Sequence, residues 1–286
     1  MRSSSVLPVV VGVDGSESSM SAVRAAAAFA SRYGLPLRVV HVFNWLPDSP
    51  RQADPQPGTT AHELLERAVA AASTVAPDLA VSTRLLEGAP GSTLLRQART
   101  ASLLAVGDGG LSGHVCLPTQ AGAVHVAARA SCSVLVARAR HPFGGSVVVG
   151  VNGSPASEQA LDFAFDTAAR RGTDLLVVRA VPTADDPAGD RLPDLAELVA
   201  VREDKYRVPA RARTVPGDPA TILIAASQGA SLLIVGARGQ HAYGGLLGSV
   251  SQTVLHHSCA PLILVRGLIA PPPDRYAQSP VAAATG

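Results

Sequence analysis

The 286-residue sequence predicts an α/β protein of two similar domains, each a five-stranded parallel sheet with helices on both faces, related by an internal repeat. The repeat is the first observation. Val9-Val-Val-Gly-Val-Asp-Gly-Ser16 returns as Val147-Val-Val-Gly-Val-Asn-Gly-Ser154, 138 residues on, and Gly34 falls on Gly172 at the same offset. Ala101 to Gly107 returns as Ala230 to Gly236 after 129 residues, and Val134 to Arg138 as Leu262 to Arg266 after 128. The second copy is therefore nine residues shorter in its middle and one shorter near its end. The other two observations are the alternation of apolar runs with helical patterns and the placing of a glycine-rich loop after the fourth apolar run of each copy. These repeats place the domains at residues 1–140 and 141–268, with a Pro- and Ala-rich tail, 269–286, expected to be disordered.

The elements of the first copy follow in order. Val6 to Val13 is apolar throughout and reads as a strand buried on both faces. Asp14-Gly-Ser-Glu is a turn that supplies capping residues, Ser16 foremost. Ser18 to Tyr33 is an Ala-rich helix closed by Gly34. Leu37 to Phe43 is the second strand. A Pro-rich stretch, Pro47 to Thr60, leads to a helix over Ala61 to Val75. Leu79 to Leu86 is the third strand, Gly88 to Ser92 opens a helix running to Arg99, and Leu103 to Gly107 is the fourth strand. A helix over Ala121 to Ala130 and a strand over Ser133 to Arg138 complete the copy. The second copy repeats this order, shortened around Asp185 to Lys205.

Composition excludes several classes. Net charge is +2 with acids and bases interspersed, and aromatic residues are 3% of the chain, so neither a basic patch nor a stacking platform for nucleic acid is present in the sequence. No apolar run reaches the length of a membrane span, and the N-terminus is too short for a signal sequence. Three cysteines, Cys116, Cys132 and Cys259, show no C-x-x-C spacing, which fits a reduced, cytoplasmic protein. The eight histidines show no metal-ligand spacing, and no metal site is expected.

The richest stretch chemically is Val235 to Ser251. A buried strand empties into a loop with Gly236, Gly239, Gly244, Gly245 and Gly248, then a helix begins at Ser249. Glycines let backbone approach an anion, and the first N–H groups of a helix have no partner within it. The loop is not of the Walker type, since Lys205 is the only lysine in the chain, and it follows a late strand rather than opening the domain as G-x-G-x-x-G does. In open parallel sheets ligands sit at the carboxyl ends of strands near the reversal of strand order. That brings together Asp14 with Gly107 to Gly110, and Asn152 with Gly236 to Ser249.

The V-V-V-G-V-[D/N]-G-S opening, the G-x-x-G loop ending in Gly-Ser and the closing strand Cys132-Ser-Val-Leu-Val resemble tandem members of the universal stress protein family, over almost the whole chain. The resemblance implies a Rossmann-like fold in each domain and ATP, with or without Mg²⁺, between the end of strand one and the glycine loop. It also implies that paired domains join through their fifth strands, that tandem chains form homodimers, and that protein partners exist. Carried over residue by residue, it implies nucleotide contacts in copy two from Gly150, Asn152, Gly236, Arg238, Gly239, Gly248, Ser249 and Val250. The weaker set in copy one is Gly12, Asp14, Gly107 and Gly110.

Both copies depart from the family pattern. Copy one keeps the acid after strand one, Asp14, but has Gln120-Ala121 where Gly-Ser is expected, and Asp108 brings a negative charge to the phosphate end. At about 6 Å and an effective dielectric of about 20 this charge would repel phosphate by roughly 2 to 3 kcal/mol. Copy two has the better loop, with Arg238 to screen phosphate, but Asn152 replaces the acid and the loop is one residue short. The expected function is nucleotide-dependent regulation in a stress response with little or no catalysis, at most a slow ATPase. No H-x-G-H or similar motif supports a nucleotidyl transferase or hydrolase. The alternative is a scaffold that has lost nucleotide and acts through protein contacts.

Overall fold

The computed structural model describes residues 6–43, 61–109, 122–138, 144–181, 194–237 and 247–266. In the first copy β1 (Val9–Val13), α1 (Glu17–Tyr33), β2 (Leu37–Phe43), α2 (Ala61–Val75), β3 (Val81–Glu87), α3 (Pro90–Ala98), β4 (Leu103–Gly107), α4 (Gly122–Arg129) and β5 (Ser133–Ala137) succeed one another. In the second, β6 (Val147–Val151), α5 (Pro155–Arg171), β7 (Leu175–Val181), α6 (Leu195–Tyr206), β8 (Ala210–Pro216), α7 (Pro219–Ser227), β9 (Leu232–Gly236), α8 (Ser249–His257) and β10 (Leu262–Val265) repeat the order. The first strand starts at Val9 rather than Val6. Pro8 has no N–H to give the ladder, and Val6 and Leu7 are exposed. Gly34 closes α1 at φ 63°, the left-handed value the sequence predicts for it.

The strands form one ten-stranded sheet in the order β3-β2-β1-β4-β5-β10-β9-β6-β7-β8. Every pairing is parallel except β5 with β10, which run antiparallel with Leu262 opposite Val136 and Leu264 opposite Val134. The fifth strands therefore join the copies, as the resemblance implies, and each half is a five-stranded parallel sheet. Strand order reverses at β1 and at β6, so β1 lies between β2 and β4, and β6 between β7 and β9.

The V-V-V runs are buried on both sides because helices cover both faces. Val9, Val11, Val147 and Val149 belong to a core with α1, α2, α5 and α6. Val10 and Val148 belong to a second core with α4, α7 and α8. The first core crosses from copy to copy. Phe29 and Tyr33 of α1 stack with centroids 4.2 Å apart, and Phe163 of α5 packs 6.3 Å from Tyr33. The Tyr33 hydroxyl lies 2.9 Å from Thr167 Oγ1, and the Arg170 guanidinium sits 4.4 Å above the Tyr33 ring.

Candidate functional site

After β1 the chain turns at Asp14. Its Oδ1 accepts from the Ser16 N–H at 3.0 Å and the Ser16 hydroxyl at 2.6 Å. Ser16 in turn caps α1, its Oγ accepting from the Ser19 N–H at 3.2 Å. Burial pushes the Asp14 carboxyl up, but the hydrogen bonds from Ser16 and Ser19 outweigh it and hold the group below its ordinary range. Copy two builds the same turn. Asn152 Oδ1 accepts from the Ser154 N–H at 3.1 Å, and Ser154 caps α5 by accepting from the Ser157 N–H at 3.2 Å. The amide thus does the turn's work as well as the acid, and the exchange changes the charge beside the strand end without changing its shape.

The ends of β4 and β9 lie against these turns. β1 pairs β4 with Val11 opposite Ala105, and β6 pairs β9 with Val149 opposite Ile234. Two residues further along, Gly107 and Gly236 meet the first turns of α1 and α5. A Cβ on Gly107 would lie 2.6 Å from the Ser18 carbonyl carbon, and one on Gly236 would lie 2.9 Å from the Ala156 oxygen. Both glycines are thus required by backbone packing. Gly12 and Gly150 are required less rigidly, since their Cβ directions are filled by the side chains of Leu94 and Leu223.

Beyond β9, the Gly248 N–H donates to the Ala237 carbonyl at 3.1 Å and the Ser251 hydroxyl to the Gly236 carbonyl at 2.7 Å. These bonds seat the first turn of α8 on the carboxyl end of β9. Gly248 is the N-cap of α8 and carries no side-chain cap, unlike α1, α5, α6 and α7, which are capped by Ser16, Ser154, Asp194 and Asp218. The structure therefore brings Gly150, Asn152, Gly236, Gly248, Ser249 and Val250 to one end of the sheet, and Gly12, Asp14 and Gly107 to the corresponding end in copy one. Arg238, Gly239 and Gly110 lie outside the described residues, as do Gln120, Ala121 and the tail.

Asp108 requires a correction. It does not stand as a bare charge at the mouth of the loop. It is 1% exposed, and its Oδ2 lies 3.8 Å from Nη1 of Arg138, itself buried. The charge is turned inward and opposed by a cation, so the repulsion expected from the sequence is not its main effect. Gly109, next in the chain, is held by its N–H donating to Ser18 Oγ at 3.3 Å. Arg138 and Arg266 escaped the sequence reading. The repeat could have found them, since both end a fifth strand at equivalent places.

A profile described as the universal stress protein family matches residues 7–138 and again residues 145–266. The chain belongs to the universal stress protein family. A universal stress protein of Mycobacterium tuberculosis strain H37Rv is 33% identical over 291 residues, spanning 92% of this chain and 97% of that one. One from Mycolicibacterium smegmatis is 32% identical over 295 residues, spanning 93% and 99%. Among solved structures, that of a universal stress protein from Archaeoglobus fulgidus DSM 4304 aligns at a TM-score of 0.70 with 19% identity, covering 91% of this chain and 98% of that one. It shares the fold: an α/β architecture whose mostly parallel sheet is flanked by helices. Among the described residues no helix is long and apolar enough to cross a membrane.

Proposed function

We propose that this universal stress protein binds an adenine nucleotide, ATP with or without Mg²⁺, at the β6–β9 end of copy two. The uncapped N-terminus of α8 carries the proposal. Its first N–H groups lie at the carboxyl end of β9, beside the Asn152 turn, at the reversal of strand order. Donors left unpaired by a helix suit phosphate oxygens. Gly248, Ser249 and Val250 would hold the phosphates together with Gly236, Arg238 and Gly239, and Gly150 and Asn152 would face the ribose. Asn152 uses Oδ1 in its turn, and its amide group suits a ribose oxygen better than a metal ion. In copy one Gly12, Asp14, Gly107 and Gly110 form the weaker counterpart.

In this reading the nucleotide is a regulatory ligand. The two domains, 1–140 and 141–268, act as one cytoplasmic unit that pairs with a second chain and with protein partners, and catalysis is slow or absent. A scaffold that works without nucleotide is the second reading. It is favoured by copy one, where Gln120-Ala121 stands in place of the Gly-Ser expected to contact phosphate. The deciding experiment quantifies adenine nucleotide released from the denatured protein, then titrates the stripped protein with ATP and Mg²⁺. About one ATP per chain, lost in Gly248→Val with the fold retained, supports the nucleotide reading. No binding at millimolar ATP supports the scaffold.

A further inference from the structure

The outer edge of copy one is open where that of copy two is closed. In the β2–β3 pair the Leu37 N–H donates to the Ala80 carbonyl and the Gly88 N–H to the Phe43 carbonyl, each at 2.9 Å. With Leu37 opposite Val81 and Phe43 opposite Glu87, this phase directs the backbone groups of Ser82, Arg84 and Leu86 at β2. Those of Val81, Thr83, Leu85 and Glu87 point away from the sheet. β3 is an end strand, and among the described residues nothing pairs that edge.

β8, the other end strand, has the same phase, set by bonds from the Leu175 N–H to Pro209 and from the Gly217 N–H to Val181. Its outward positions are Ala210, Ala212, Thr214 and Pro216. The Ala210 N–H donates to Glu203 Oε1 at 2.7 Å, and Pro216 has no N–H. Copy two thus blunts both ends of its edge, a protection against added strands that copy one lacks.

The open edge carries chemistry on both faces. Thr83 and Leu85 line a groove with Leu65 and Val69 of α2, and His62 and Glu66 line it too. Leu85 is 37% exposed, a large apolar side chain on an unpaired strand. On the other face Arg84 stands diagonal to Arg38 of β2, since Val40 is opposite Arg84 and Arg38 opposite Ser82. Among the described residues neither arginine has an acidic partner. Burial, and after it the Arg84 charge, holds Arg38 below its ordinary range. These charges decide the occupant. A second copy pairing antiparallel along the whole of β3 would bring Arg84 opposite Arg84, and directly opposed like charges destabilise a ladder. An extended segment with apolar residues at alternate positions would fill the groove, and an acid between them would face Arg84.

We propose that the β3 edge of copy one is a docking site for an extended segment of a partner protein, added as a strand, in which apolar residues alternate with acidic ones. The proposal takes from the reading above only that the chain has protein partners. It needs no nucleotide, so loss of the ATP site leaves it standing, and its failure leaves the ATP site standing.

The test titrates the full chain with the fluorescein-labelled peptide Thr-Val-Glu-Val-Glu-Val-Thr-amide, and with its counterpart bearing Lys for Glu, read by polarisation. Wild type is expected to bind the Glu peptide with a Kd below about 1 mM, and about fivefold more tightly than the Lys peptide. Arg84→Glu should reverse that preference, a gain that misfolding cannot produce. Thr83→Pro removes an outward N–H without touching the bonds to β2, and should abolish binding with the fold retained. Hydrogen exchange at the Thr83 and Leu85 amides, followed by NMR, should slow when the Glu peptide is added. Absence of saturable binding, equal affinity of wild type for the two peptides, or an unchanged preference in Arg84→Glu overturns the proposal, as does binding kept by folded Thr83→Pro. Thr83 and Leu85 amides already protected in the free chain also overturn it, because the edge is then covered by this chain or by a second copy.

Discussion

Arg138, at the end of β5, donates from Nη2 to the Leu255 carbonyl at 2.6 Å and so caps the last turn of α8 in the other copy. The contact is returned. Arg266, 128 residues on, donates from Nη2 to the Ala127 and Ala128 carbonyls of α4 at 2.7 and 2.8 Å. Each copy thus supplies the cation that closes the other's last helix, where the helix dipole favours positive charge. Only copy one adds an acid, Asp108, since Ala237 occupies the equivalent place.

Removing Arg138 alone should therefore be costly. Arg138→Met leaves Asp108 buried with its ion-pair partner gone and the Leu255 carbonyl uncapped, and a loss of about 3–5 kcal/mol is expected. Asp108→Ala combined with Arg138→Met should recover a large part of that loss, because copy two tolerates Ala at this position. Urea unfolding of the two variants decides it: equal instability would mean that the acid does not matter.

The Tyr33 cluster predicts how the copies are held on the opposite face. Tyr33→Phe keeps the stack on Phe29 and loses the hydroxyl's bond to Thr167, at a cost of about 1 kcal/mol. Tyr33→Ala also removes the ring beneath Arg170 and leaves a cavity at the α1–α5 contact, at about 3–5 kcal/mol. Differential scanning calorimetry would show a single transition in wild type, and Tyr33→Ala should split or broaden it.

These two relationships show where sequence reading stops. Local signals set the elements: β2 and β4 have the bounds their apolar runs predict, and Gly34 takes the left-handed cap. The repeat set the architecture. The role of Asp108 was not local, because it depends on Arg138 at the end of a different strand. Tyr33 and Thr167 are 134 residues apart in sequence, and nothing near either announces the other. Glycines were legible as glycines, but their reasons were not. Gly107 and Gly236 read as phosphate contacts, whereas the structure gives them a packing requirement as well. The family pattern located Asp14 and Asn152, while the open edge of β3 belongs to no motif and became visible only through the register of β3 on β2.

Acidification should weaken the α8 end through His256. Burial, with the charges of His257 and Arg138, holds this imidazole below its ordinary pKa in the folded chain. The unfolded chain, with a pKa of about 6.5, then binds more protons as the pH falls, so stability is lost from about pH 7 downward until the folded form also protonates. His256→Gln cannot titrate. Its unfolding midpoint in urea should fall less between pH 7.5 and 5.5 than that of wild type, and equal slopes would remove His256 from the account.

Gly236 and Gly248 should separate a packing glycine from a ligand glycine. A Cβ at Gly236 meets the Ala156 backbone, which cannot swing aside, so Gly236→Ala should lose about 1–3 kcal/mol of stability whether or not nucleotide is present. Gly248 has φ −63° and ψ 152°, values open to any residue, so its backbone does not require glycine. Gly248→Ser would place a hydroxyl over the first N–H groups of α8. Ser is the better N-cap by a few tenths of a kcal/mol, so the unliganded variant should be slightly more stable than wild type. The same hydroxyl would occupy the donors assigned to phosphate, and nucleotide affinity should fall. Thermal unfolding with and without ATP measures both effects. A higher midpoint without ligand, together with a smaller shift on adding ATP, is the expected pair. A variant stabilised by ATP as strongly as wild type would place the phosphate away from α8.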